Sequence, residues 1–236
     1  MRRPGQPAVD EPGVTGLLPC AEDPRARLLV TDDRAYDALA ALLPDVGAGL
    51  INVFAPATRC AQLVQSSPAW KAEAATAMIC RDLGAVPAAS LPSELTLKPV
   101  GRLAGHEPGA VPLEDAVALV RRADPRIEEP PEVFAAFLRS LPPSISLLAA
   151  VDAAGAVRAT SGSDTFGTQA RVFFVNTDPA WRGRGIGQAM TAAALRAARE
   201  SGARQAALDA TEGGRGIYLR LGFEPVSRTT RFRRDG

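Results

Sequence analysis

The stretch from Val172 to Gly187 constrains this chain more than any other. Val172-Phe173-Phe174-Val175 is an apolar run of the kind that forms a buried strand. Gly183, Gly185 and Gly187 follow at alternate positions, interleaved with Arg182 and Arg184. Ile186-Gly187-Gln188-Ala189-Met190 then opens an alanine-rich helix, expected to run to about Ser201 and to stop at Gly202. A strand that delivers a glycine-rich, cationic turn to a helix N-terminus is a device for holding an anion, phosphate above all. The first-turn N–H groups have no intrahelical partner, and the helix dipole favours negative charge there.

The other segments place this device in a fold. Residues 1–24 are rich in proline, glycine and charge and read as a flexible leader. Residues 25–90 read as a small α/β N-terminal domain. Strands are expected at Arg27–Thr31 and Leu50–Phe54, and helices at Arg34–Leu43, Ala57–Gln65 and Pro68–Leu83. Trp70 and Met78 fall at core spacing in the last of these. Pro87–Ser93 reads as a connector. Residues 93–236 then give a strand at Leu95–Val100, helices at Leu113–Val120 and Pro131–Leu138, and strands at Ser146–Val151 and Ala156–Ser163 before the Val172 strand. After the long helix come a strand at Ala206–Ala210, a short helix at Arg215–Leu221, and closing strands at Phe223–Val226 and Thr229–Arg233. This order predicts an α/β class of α+β type, a mixed sheet with hairpins and helices on its faces.

Two other phosphate sites are weighed against this reading. Gly183-Arg184-Gly185-Ile186-Gly187-Gln188 does not complete G-x-G-x-x-G, because Gln188 stands in place of the third glycine. Asp209 lies at a suitable distance for a ribose contact, but the hairpin strands ahead of the motif do not suit a doubly wound sheet. No Gly-Lys-Ser/Thr follows, which excludes a P-loop.

Composition narrows the function further. The net charge is +1, which gives no global pull toward nucleic acid or an anionic membrane. No apolar stretch follows the N-terminal arginines, and Ala38–Thr58 is interrupted by Pro44, Asp45 and glycines, so neither a signal peptide nor a membrane span is expected. Cys20, Cys60 and Cys80 are odd in number and widely spaced, which fits a reducing cytoplasm and no zinc site. The single histidine, His106, has no second histidine with which to build a metal site and reads as an ordinary loop residue.

Arg182-Gly183-Arg184-Gly185-Ile186-Gly187 fits Arg/Gln-x-x-Gly-x-Gly/Ala. Together with Tyr218-Leu219-Arg220-Leu221-Gly222-Phe223, it resembles the GNAT superfamily of acyl-CoA-dependent N-acyltransferases over about residues 93–234. The resemblance implies a GNAT-like fold preceded by the α/β N-terminal domain. It implies acetyl-CoA as cosubstrate, with the pyrophosphate on the backbone of Gly183, Arg184, Gly185, Ile186, Gly187 and Gln188, and Arg182 and Arg184 adding charge. It also implies that the strand splays from its parallel neighbour. Val175 and Thr177 then hold the pantetheine arm, and Asn176 faces the other way. Tyr218 takes the role of general acid toward the leaving thiolate.

The chemistry of the acceptor is less constrained. The attacking amine must be neutral, and candidate bases are Asp178, Glu128, Glu129, Asp164 and Glu212. Asp178 also suits a turn cap before Pro179. The Glu128-Glu129 loop stands where the family builds its acceptor wall, and Thr211–Gly214 lacks the asparagine that many members carry. The expected function is acetyl transfer to a primary amine, of a small molecule or a peptide, by direct attack in a ternary complex. The alternative is a CoA-binding regulatory or scaffold protein. The chain is expected to be a monomer or homodimer. Residues 25–90 stand as a place for acceptor specificity or for directing the catalytic part to a protein substrate.

Overall fold

The structure, a computed structural model, describes residues 8–18, 25–101, 108–124, 127, 130–139, 141 and 144–234. The chain divides into two compact units: the first takes in residues 1–77, 210–213 and 225–236, and the second residues 78–209 and 214–224.

In the first unit, β1 (Ala8–Glu11) and β2 (Val14–Leu17) form a hairpin turned by Pro12-Gly13, and β2 pairs antiparallel with β3 (Arg25–Val30). A flexible leader was expected here. The Pro-Gly pair is instead a hairpin turn, with Gly13 at φ 83°, and Val9 and Val14 are enough to anchor the hairpin in the core. A 3-10 turn over Asp33–Ala35 leads into α1 (Tyr36–Leu42). Then come β4 (Ala48–Phe54), parallel to β3, α2 (Thr58–Gln65) and β5 (Lys71–Cys80). The core gathers Leu28, Val30, Leu39, Ile51, Val53, Val64 and Trp70.

β5 corrects the helix expected over Pro68–Leu83. Alanine dominates this segment and supports helical spacing as readily as alternation, so the pattern was ambiguous. In the structure Met78 and Cys80 alternate into the interior, and tertiary pairing overrides the alanine propensity. β5 passes into the second unit at Met78.

The second unit continues with β6 (Leu95–Pro99), followed by α3 (Leu113–Ala123) and α4 (Pro131–Arg139). β7 (Ile145–Asp152), β8 (Val157–Phe166) and β9 (Gln169–Thr177) then run antiparallel in succession. α5 (Ile186–Glu200) crosses to β10 (Gln205–Ala210), which is parallel to β9, and α6 (Glu212–Arg220) follows. The order is β10-β9-β8-β7-β6. Alternation along β7 sorts the helices: Ala149 and Val151 face α3 and α4, whereas Ala150 packs with Ile186 and Met190 of α5. The two closing strands expected at the C-terminus are one, β11 (Glu224–Arg234). It pairs with β4, so its partner ladder lies in the first unit and not with the 93–236 segment to which the linear division assigned it.

Candidate active site

The site is built at the end of β9. Between Thr160 and Gly162 the β8–β9 register slips: Thr160 lies opposite Asn176 and Gly162 opposite Phe173, so β9 carries one extra residue. Phe174 takes up the bulge at φ 50°, left-handed backbone that a phenylalanine rarely adopts. Its carbonyl accepts the Thr160 hydroxyl at 3.1 Å, and its ring meets those of Phe134 and Phe173 edge-on at 5.5 and 5.1 Å. Packing therefore holds a conformation that the backbone alone disfavours.

The bulge has a consequence on the other side of the strand. β9 pairs with β10 only at Gln169, Ala170 and Arg171. Past that point the two strands part, and the segment carrying Val175, Asn176 and Thr177 has no ladder partner on the β10 side. An extended chain can add itself to such an edge.

Asp178 closes the strand and caps a 3-10 turn over Pro179–Trp181. Its carboxylate accepts from Ala180 N at 3.1 Å, from Arg122 at 3.1 Å and from Arg158 at 3.2 Å. Burial works against its ionisation, but the Ala180 N–H and the two guanidiniums outweigh it, so Asp178 titrates below the usual carboxylate range. A carboxylate so committed is a cap and a poor base.

Gly183 and Gly185 then take φ of 80° and 77°. Both are left-handed positions that glycine takes without a steric penalty, and α5 begins with no side-chain cap. The N–H groups of Ile186, Gly187 and Gln188 are thus left for a ligand. A Cβ at Gly187 would stand 3.2 Å from Ile217 Cδ1, so glycine is what lets α5 start close against α6. Ile186 itself is buried in the core, and the Gln188 amide oxygen accepts Arg220 Nε at 3.1 Å.

The two arginines are spoken for by the protein. Arg182 donates to the carbonyl of Thr177 at 3.3 Å and to that of Ala123, the last residue of α3, at 2.9 Å. Arg184 lies 3.6 Å from the Glu94 carboxylate, and its guanidinium stands 4.8 Å over the Trp181 ring. Arg158 approaches the same ring at 5.2 Å. Tyr218 sits on α6 with its ring edge-on to Phe223 at 6.0 Å, and burial pushes its phenol above the ordinary value. Its hydroxyl makes no hydrogen bond among the described residues.

Of the other candidate bases, Asp164 is buried on β8 and accepts Ser144 Oγ at 2.7 Å. Glu212 is exposed in the first turn of α6. Glu128 and Glu129 lie outside the described residues, as do His106 and Cys20. Cys60 and Cys80 are buried free thiols, and burial raises both, Cys60 to about 11. The bulge at Phe174, the Asp178–Arg122–Arg158 cluster and the arginine-flanked Trp181 were not anticipated. Only a proline after Asp178 hinted at the cap.

Residues 144–225 match the family model described as "Acetyltransferase (GNAT) domain". This chain carries a GNAT domain. A search of curated proteins found no matching sequence. Among solved structures, a GCN5-related N-acetyltransferase from Kribbella flavida aligns at 21% identity and TM-score 0.64, over 98% of this chain and 90% of that one. A second, from Sphaerobacter thermophilus, aligns at 17% identity and TM-score 0.64, over 95% and 78%. A tandem GNAT protein from the clavulanic acid biosynthesis pathway, solved without acetyl-CoA, aligns at 21% identity and TM-score 0.59, over 93% and 77%. The mixed α/β fold with GNAT-like topology thus extends over nearly the whole chain, and the matched residues hold β9, the glycine loop and Tyr218, while Glu94, Arg122, Ala123 and Phe134 reach the site from outside them.

Proposed function

We propose that the GNAT domain is an acyl-CoA-dependent N-acyltransferase, moving an acetyl group from acetyl-CoA to a primary amine by direct attack in a ternary complex. The observation that carries this reading is the continuity of the parted edge of β9 with the uncapped start of α5. A long ligand with an extended amide-bearing arm and a pyrophosphate needs both. Val175 and Thr177 offer backbone groups to the arm, with Asn176 between them. The amides from Gly183 to Gln188 receive the pyrophosphate. Arg182 and Arg184 contribute to the positive potential of the loop while their side chains brace it.

Acetyl-CoA supplies the activated thioester. Tyr218 supplies the proton: desolvation keeps its phenol protonated well past neutrality, and a leaving thiolate with a pKa of about 8.5 can receive it. The buried thiols stay protonated and lie outside the motifs, which favours direct transfer over a covalent acyl-enzyme. With Asp178 engaged as a cap, the amine's own deprotonation governs the alkaline rise in rate. An α-amine near 8 is therefore served better than a lysine-like amine near 10.4.

Thermal melting with acetyl-CoA tests the first half. Saturating ligand should raise the melting temperature, and no shift would sink the reading. Release of free thiol across a panel of small amines and peptides tests the second half. Stabilisation without amine-dependent thiol release would mark a CoA-binding scaffold in place of an enzyme.

A further inference from the structure

Two runs of elements in the chain follow one plan. β1, β2, β3, α1, β4, α2 and β5 repeat the order of β7, β8, β9, α5, β10, α6 and β11. In both, the first three strands pair antiparallel in succession, and the strand after the helix pairs parallel to the third. The third strand leads into Thr-Asp in both: Thr31-Asp32 and Thr177-Asp178. In both, the aspartate caps a 3-10 turn by accepting the N–H two residues on, Arg34 N at 3.0 Å and Ala180 N at 3.1 Å.

The copies part where a ligand site is made. In the second unit, Arg182–Gly185 separate the turn from α5. In the first, the turn ends at Ala35 and α1 starts at Tyr36, so the glycine loop has no counterpart. Neither α1 nor α5 has a side-chain cap, but the turn of the first unit carries a second aspartate, Asp33, where the second unit has Pro179, and the Asp33 carboxylate accepts Cys60 N at 3.0 Å in the first turn of α2. The strands differ in the same sense. β8 and β9 slip by a bulge, and β9 pairs with β10 at three positions before parting. β2 and β3 keep one register, and β3 pairs with β4 at six positions, up to Val30 opposite Val53, the last residue of β3.

We infer that the first unit is a second copy of the ligand-holding half of the fold with its site closed, so that the chain takes up one acyl-CoA, in the second unit. The slot that would receive an extended arm is zipped, the glycine loop is missing, and the Asp33 carboxylate adds negative charge in the turn ahead of α1. This rests on the reading of the Gly183–Gln188 loop as a CoA site.

Titration calorimetry and native mass spectrometry of the full chain with acetyl-CoA should give one ligand per chain. Gly185→Val, a β-branched residue forced to φ 77°, should weaken binding on the order of 100-fold, with a lowered melting temperature but a transition as cooperative as that of the wild type. Two ligands per chain, or one wild-type-like ligand remaining in Gly185→Val, would overturn the closed copy. No binding by the wild type would instead overturn the CoA reading. The zipped slot is then judged by hydrogen exchange of the ligand-free chain. Amides of Leu28–Val30 should be protected throughout, and part of Val172–Thr177 should exchange far faster. Equal exchange in the two segments would overturn the inference.

Discussion

Asp178 shows how much of the site depends on one carboxylate that does no chemistry. It draws Arg122 from α3 and Arg158 from β8 onto the turn that carries the anion loop. Replacing it with asparagine takes the carboxylate from Arg122 and leaves Arg158 with Asp152 alone, and should cost about 1–3 kcal/mol in urea unfolding. Its folded titration lies below the ordinary value of 3.8. A lowered carboxyl stabilises the fold fully above the unfolded value and loses that contribution as pH falls through the folded one. The stabilities of wild type and Asp178→Asn should therefore differ at pH 7 and converge in acid below about pH 4. Tyr218, the proposed acid, is expected to work in the opposite direction, with little weight in stability and much in rate. Tyr218→Phe should lower kcat about 100-fold, with acetyl-CoA affinity by calorimetry nearly unchanged. A Tyr218→Phe variant with full turnover across the pH range would remove the acid. The glycine turn was legible in the sequence because a backbone angle demands it locally, whereas the part given to Tyr218 came from the resemblance of its motif. Trp181 and Arg158 were not legible, since their meeting depends on how β8 and β9 pair and on the turn that follows β9.

At the scale of elements, the bulge in β9 is what separates an ordinary sheet from a slot. Gly162 permits it. A Cβ there would lie 2.7 Å from Phe173 Cε2 and 2.9 Å from Leu147 Cδ2, so the ring that flanks the extra residue would have to move. Gly162→Ala should destabilise the chain by about 1–3 kcal/mol in denaturant melts and weaken acetyl-CoA binding along with it. The helices and strands of residues 113–220 were readable because caps, glycine stops and hairpin turns punctuate them. The bulge was not, because register is a relation between two strands and neither β8 nor β9 announces it alone. β5 failed for a different reason. Lys71–Cys80 is mostly alanine with scattered apolar residues, and only its neighbours decide between a strand and a helix.

The whole molecule ties its two units together through the order of the chain. β11 follows the GNAT domain's last helix, yet it pairs with β4 at six positions, from Thr229 opposite Phe54 to Arg234 opposite Gly49. Phe232 is fully buried in the first unit's core. A fragment beginning at Ser93 would leave that strand unpaired and Phe232 uncovered. It should show no cooperative thermal transition, whereas the full chain should melt cooperatively; a fragment that melts like the full chain would refute this. The chain also carries its own optical probes, because its two tryptophans fall one in each unit. Trp70 is buried at 6% exposure in the first unit's core. Trp181 lies between two guanidiniums at the mouth of the glycine loop. In a Trp70→Phe chain, the emission left behind comes from the loop alone, so filling the loop can be followed by fluorescence in real time, without a label.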